Sequence, residues 1–201
     1  MRKLTLMLAI LLGAFASPAA AQTPAPQTFW WNDRVFYEIF VRSFNDSDGD
    51  GIGDLQGIID RLDYLNDGDP TTTDDLGITG VWLMPIMESP SYHGYDVIDY
   101  NRIEPDYGTL ADMRRLIEAA HERGIAVIVD MILNHTSRQN PWFLASAQGD
   151  PAYSGWYIWR PSNPNFRGAD GQTVWHELRG RFYYGAFVAD IPDLNLNNPE
   201  V

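Results

Sequence analysis

The sequence predicts an α/β protein in which a parallel sheet is covered by helices, and three observations carry that reading. Short apolar, β-branched runs such as Ala126-Val-Ile-Val129 suit strands buried on both faces. Between such runs, two stretches repeat apolar residues at helical spacing. The order that results, strand, helix, strand, helix, strand, is that of consecutive parallel β/α units.

The chain starts with a leader. Arg2 and Lys3 precede an apolar run from Leu4 to Phe15, and Ala19-Ala20-Ala21 offers a small-residue cleavage site before Gln22. The run is shorter than the roughly 20 residues that span a bilayer, so residues 1–21 read as a cleaved signal for export. The mature protein is expected in the periplasm or outside the cell, with no membrane attachment after cleavage. Residues 22–28, with Pro24 and Pro26, read as a linker. The chain has no cysteine, so its exported part is held by its core or by a bound metal rather than by disulfides. Loss of Arg2 and Lys3 takes the net charge from −13 to −15, which argues against a polyanionic nucleic acid as partner and suits neutral substrates and cations.

The first strand is Val35-Phe-Tyr-Glu-Ile-Phe-Val41, aromatic and β-branched. It runs into Asn45-Asp-Ser-Asp-Gly-Asp-Gly-Ile-Gly-Asp54. Asp46, Asp48 and Asp50 alternate, Gly51 follows, and Asp54 closes the set, a D-x-D-x-D-G spacing by which a tight loop folds hard oxygens around one Ca²⁺. The carbonyl of Ile52 stands at the seventh position. The twelfth position is Gly57 instead of a bidentate Glu, and a strand rather than a helix precedes the loop, so this is a calcium loop outside an EF-hand.

Leu55, Ile58, Ile59, Leu62 and Leu65 then predict an amphipathic helix, ended by the polar stretch from Asp67 to Asp75. The second strand lies within Ile78 to Pro85. Its exit, Glu88 to Val97, is a polar loop holding Tyr92, His93, Tyr95 and Asp96; such exits collect function. Leu110, Met113, Leu116, Ile117 and Ala120 mark the next helix, stopped by Gly124. The third strand ends in Asp130, inside an apolar run, with Asn134, His135 and Thr136 just beyond. A carboxylate there needs a partner to offset its desolvation, and the C-terminal edge of parallel strands is where such folds meet ligands. From Thr136 the texture changes to aromatic pieces punctuated by Pro and Gly, an irregular insertion of short strands and long turns. Aromatics make up 13% of the chain; core packing accounts for most of them, with one or two left for stacking on sugar rings.

These motifs taken together resemble the N-terminal part of the α-amylase family of retaining glycoside hydrolases. The matching residues are the loop Asp46 to Asp54, Gly80-Val-Trp-Leu-Met-Pro85 with His93-Gly-Tyr-Asp96, Asp130 to His135, and Ile191-Pro-Asp-Leu-Asn195. The resemblance implies an incomplete (β/α)₈ barrel: residues 29–135 would supply its first three β/α units, residues 136–195 an inserted small domain after the third strand, and residues 196–201 the return to the barrel. It also implies that Tyr95 stacks under the sugar and that His135 hydrogen-bonds the same sugar, that Asp130 pairs with an arginine preceding the nucleophile, and that Asp96 is a structural partner. In some members, residues at the positions of Asn134 and Asp193 hold a second Ca²⁺.

Retaining glycosidases need two carboxyl groups about 5 Å apart, and in this family they lie on later strands. The expectation is therefore an exported, calcium-binding α-glucan hydrolase whose catalytic pair lies beyond Val201, with these 201 residues inactive by themselves. Transglycosylation or isomerisation of α-glucosides is the alternative within the family; a non-catalytic carbohydrate-binding relative is the alternative outside enzymes. Residues contacting the acceptor would separate hydrolase from transferase, and a later Arg-x-Asp, Glu and His-Asp series would separate enzyme from binder.

Overall fold

The computed structural model describes residues 29–201; the leader expected at 1–21 and the linker expected at 22–28 lie outside the described residues. The chain divides into two units, residues 1–32 and 33–201. In the described end of the first, Asn32 N–H donates to the Phe29 carbonyl at 3.1 Å, and the rings of Phe29 and Trp31 stack at 4.7 Å.

In the second unit, strand β1 (Phe36–Ile39) leads through a 3₁₀ turn (Val41–Ser43) and the acidic loop to helices α1 (Leu55–Ile59) and α2 (Leu62–Leu65). Strand β2 (Gly80–Leu83) follows, then β3 (Met87–Glu88) and β4 (Asp99–Ile103), a second 3₁₀ turn (Pro105–Tyr107), helix α3 (Leu110–Glu122) and β5 (Ala126–Val129). The remainder holds helix α4 (Pro141–Gln148) and strands β6 (Trp159–Arg160), β7 (Trp175–Leu178) and β8 (Arg181–Tyr184). None of the described helices is long and apolar enough to cross a membrane.

Strands β1, β2 and β5 form a parallel sheet in that order, with Ile39, Leu83 and Val129 in register. Alternation divides their side chains between two faces. One face, with Ile39, Val81 and Leu83, packs against Leu55, Ile58, Leu62, Leu65 and Leu116, all essentially inaccessible. The other carries Glu38, Trp82 and Ile128. Here the ring of Phe36 lies so close over Gly80 that a Cβ at residue 80 would collide with it. The Arg34 guanidinium donates to the carbonyls of Thr79 and Gly124 and so ties the entry ends of all three strands.

Three expectations change in the structure. Val127 and its neighbours are only partly buried, because β5 is an edge strand of this sheet and its second face has no covering layer among the described residues. The helix expected from Leu55 to Leu65 is broken at Asp60 and Arg61; Arg61 reaches back to Asn45 Oδ1 at 3.0 Å, yet the apolar stripe survives the break. Within the polar exit loop, β3 and β4 pair antiparallel and brace residues 89–98 at both ends.

The segment that follows Thr136 has its own core. Phe143 of α4 meets Tyr157 and Tyr183 edge-on, each at 5.0 Å, under the antiparallel sheet β6-β8-β7. Helix α4 starts at the Asn140 cap with Pro141 in its first turn and stops at Gly149 in the left-handed region, the asymmetry that Pro and Gly impose on helix ends. The segment leaves and returns at one place: Leu194 N–H donates to the Asn134 carbonyl at 2.8 Å and Thr136 N–H to that of Pro192 at 3.1 Å.

Leu116 is fully buried while Leu110, on the same helix, is 52% exposed. Leu116→Ala should therefore cost about 2–5 kcal/mol, and Leu110→Ala less than about 0.5 kcal/mol. Urea unfolding of the two variants checks this, and equal losses would refute the assignment of the helix face.

Candidate functional site

Asp130 follows β5 directly, and its N–H donates to the Leu83 carbonyl at 2.9 Å, which places the carboxylate at the exit edge of the sheet beside β2. Its two oxygens have separate partners. Trp82 Nε1 donates to Oδ1 at 3.1 Å and the Tyr95 hydroxyl donates to Oδ2 at 2.9 Å. Two neutral donors thus offset the desolvation of a charge at a strand end. No basic side chain pairs with Asp130 among the described residues. Burial, then the bond to Asp130, pushes the Tyr95 phenol above its usual range, so it remains a donor.

His135 is 8% exposed. Its Nε2 lies 3.1 Å from the Tyr95 carbonyl, which can only accept, so Nε2 carries the proton and Nδ1 faces Asn134 Nδ2 at 3.4 Å. Burial lowers the imidazole pKa and favours the neutral ring. Phe187, 61% exposed, stands edge-on to this imidazole at 5.2 Å. Tyr100 of β4 shares its hydroxyl proton between the carbonyls of Ile132 at 2.8 Å and His135 at 2.9 Å, bracing the backbone on both sides of Asn134.

The other expected residues fall nearby with differing duties. Asp96 is buried, and its Oδ1 accepts from Ser89 Oγ at 2.8 Å and from Ser91 Oγ, which fixes the loop carrying Tyr95. Asp193 is buried and pairs across from His135; its Oδ1 accepts from Ala186 N–H at 3.1 Å. Asn134 is exposed, and no group of three acidic or histidine ligands forms around it and Asp193 among the described residues. The sequence by itself does not single out Trp82, Tyr100 or Phe187. Period-2 alternation with Val81 and Leu83 signals that Trp82 faces away from the helices; nothing local signals Phe187.

In the acidic loop, carboxylate oxygens of Asp46, Asp48 and Asp50 come within 4.8 Å of one another, all exposed. Gly49 and Gly51 take φ of 87° and 93°, a backbone that glycine adopts without strain. Asp46 accepts from the N–H groups of Gly51 at 2.8 Å and Gly49 at 2.7 Å, and these bonds lower its pKa. Three carboxylates at this separation are a donor set that fits a hard cation. Asp54 stands outside that trio: Oδ1 caps α1 through Gly57 N–H at 2.6 Å, and Oδ2 accepts from Ser47 N–H at 3.0 Å and Ser47 Oγ at 2.9 Å. Ile52 donates its N–H to Asp50 Oδ1 at 2.7 Å.

Comparison with known proteins places this geometry. The family described as alpha amylase, catalytic domain, matches residues 38–201. Alpha-amylase 3 of Dictyoglomus thermophilum is 46% identical over 173 residues, covering 86% of this chain and 32% of that relative. The crystal structure of the alpha-amylase from H. orenii superposes with a TM-score of 0.79 at 58% identity, covering 83% of this chain and 35% of that one. The isomaltulose synthase SmuA from Protaminobacter rubrum gives 0.78 at 38% identity, covering 87% and 32%. The chain thus spans about a third of the length of these relatives, and its three parallel strands are part of a (β/α) barrel.

Tyr100→Phe should cost about 1–2 kcal/mol, because two carbonyls of the Asn134 turn lose their donor; a lower urea midpoint at unchanged slope would register it. Burial pushes the Tyr100 phenol from 10.0 up to about 12. The unfolded chain therefore loses this proton first, and the stability it confers is full below pH 10 and lost as pH rises toward 12. The variant should show a shallower alkaline decline, and an unchanged profile would contradict it.

Proposed function

The chain belongs to the alpha-amylase catalytic-domain family, and from that premise we propose that the whole protein is an exported, calcium-binding α-glucan hydrolase that cleaves α-1,4 bonds with retention. The observation that carries the reading is the cluster at the exit edge of the sheet, where Tyr95, Asp130 and Trp82 are locked together beside a neutral, buried His135. A partly exposed tyrosine ring held rigid by a carboxylate is a platform for an apolar sugar face. A neutral imidazole beside it offers hydrogen bonding without a charge to desolvate.

Within this proposal Asp130 is a positioning residue. It has two neutral donors and an excess of negative charge, which suits an arginine supplied by a later strand next to the nucleophile. The nucleophile and the acid/base, set about 5 Å apart as retention requires, belong to the part of the barrel beyond Val201. Ca²⁺ bound by Asp46, Asp48 and Asp50 would neutralise the loop between the first strand and α1; its contribution is to stability. The similarity to an isomaltulose synthase at 38% identity supports transglycosylation or isomerisation as the second reading.

Protein expressed from the entire coding sequence should hydrolyse maltooligosaccharides, with the α-anomer as first product by NMR, whereas residues 22–201 alone should show no turnover. Release of the β-anomer would overturn retention, and turnover by residues 22–201 would overturn the placement of the catalytic pair. In the same protein Tyr95→Ala should lower kcat/KM about tenfold or more, in line with loss of a positioning contact; an unchanged value would remove Tyr95 from the site. A strong chelator should lower Tm by several degrees at about 2–3 kcal/mol of linkage, and Asp50→Asn should weaken the recovery on adding Ca²⁺. A Tm indifferent to chelator would remove the metal.

A further inference from the structure

The inserted region carries a cavity of about 280 Å³ lined by Asn163, Asn165, Phe166, Arg167, Thr173 and Trp175. It shares no lining residue with the Tyr95, Asp130 and His135 cluster. We infer that this cavity binds a short stretch of α-glucan. The identity of the sugar rests on the function proposed above, whereas the site itself rests on its own lining.

That lining joins two surfaces that a pyranose needs. Phe166 is 61% exposed, and Trp175 is partly exposed, with Tyr184 edge-on at 5.3 Å and the Arg160 guanidinium 5.8 Å from its ring centroid. Neighbours thus hold the Trp175 ring, and rigid rings suit the C–H face of a sugar. The amides of Asn163 and Asn165 supply donors and acceptors side by side, the complement of adjacent hydroxyls. Asn165 takes φ of 55°, a left-handed conformation that Asn enters more readily than most residues, and its N–H is fixed by Asn163 Oδ1 at 2.9 Å.

The cavity wall is formed in advance. Arg167 and Thr173 pair across a small antiparallel bridge, Gly168 N–H donates to the Gln172 carbonyl at 3.0 Å, and Arg167 Nη1 donates to Thr173 Oγ1 at 2.9 Å. A preformed wall lowers the ordering cost of binding. No carboxylate lines the cavity, its arginine is already bonded, and the chain carries a net charge of −13; a neutral polyhydroxylated ligand fits these conditions better than an anion. The volume lies just below the roughly 300–1,000 Å³ typical of small-ligand clefts, which suits one or two sugar units.

The test uses protein expressed from the entire coding sequence and its Phe166→Ala and Trp175→Ala variants. Affinity electrophoresis in amylopectin measures glucan binding, and turnover of p-nitrophenyl maltotrioside measures the chemistry. Each variant should bind amylopectin about fivefold more weakly, as loss of one ring contact predicts, with kcat and KM for the small substrate unchanged. Phe166 is exposed enough that its truncation leaves the fold intact, so it decides the matter if Trp175→Ala does not fold. Unaltered amylopectin retention in Phe166→Ala overturns the site. Failure of the parent protein to turn over the maltotrioside while it still binds amylopectin through Phe166 overturns the hydrolase reading and leaves this site standing.

Discussion

Parallel pairing of β1, β2 and β5 is the constraint on which the rest depends. Strands that run in one direction cannot be joined by tight turns, so each connection crosses back along a layer of helix. All three strands then end at the same edge, with Ile39, Leu83 and Val129 in register. Whatever the chain places just after those residues is brought together without further instruction. Asp130 comes from one strand, Trp82 from another, and Tyr95 from the loop beyond it, yet the three meet within hydrogen-bond distance.

The same sheet is unevenly covered. Its helical side is closed by α1, α2 and α3, while Trp82 on the other side is 38% exposed and the edge residues Val35, Met131 and Leu133 are each more than 60% exposed. Large apolar groups gathered along sheet edges mark surfaces made to be covered. That exposure agrees with a chain that spans about a third of its relatives, in which further strands would take the positions beside β1 and β5. It also explains why strand Ala126–Val129 is only partly buried although its composition reads as a core strand.

Much of this architecture was legible in the amino-acid order because it obeys local rules. Helix α3 carries its apolar stripe, a Thr109 capping box with Asp112, and Gly124 just after it, and each signal points the same way. Position Asp130 was legible as a charge in need of partners, but the partners were not: Trp82 is 48 residues away, and no spacing rule connects them. The break at Asp60 and Arg61 was hidden because the stripe from Leu55 to Leu65 continues through it. Helix α4 had its punctuation in Asn140-Pro141 and Gly149, masked by the aromatic, Pro-rich text around it. Phe187 reaches His135 only because the insertion returns to its own starting point, which is a tertiary fact.

The acidic loop sits inside this framework as a tether between the first strand and the first helix. Gly53 N–H donates to the Arg42 carbonyl at 2.8 Å and Asp54 N–H to that of Asn45 at 3.1 Å, so the loop folds back onto the exit of β1. Side chains are excluded where it closes: a Cβ on Gly53 would collide with the Val41 carbonyl, and one on Gly57 with that of Asn45. Asp54 joins the two parts, accepting from Ser47 within the loop and capping α1 through Gly57. Charge neutralisation at Asp46, Asp48 and Asp50 by the proposed Ca²⁺ would therefore act on the strand exit through backbone already fastened at both ends. A cation bound there would have no need to approach the Tyr95 cluster to influence it, since what it would steady is the segment from which β1 and α1 diverge.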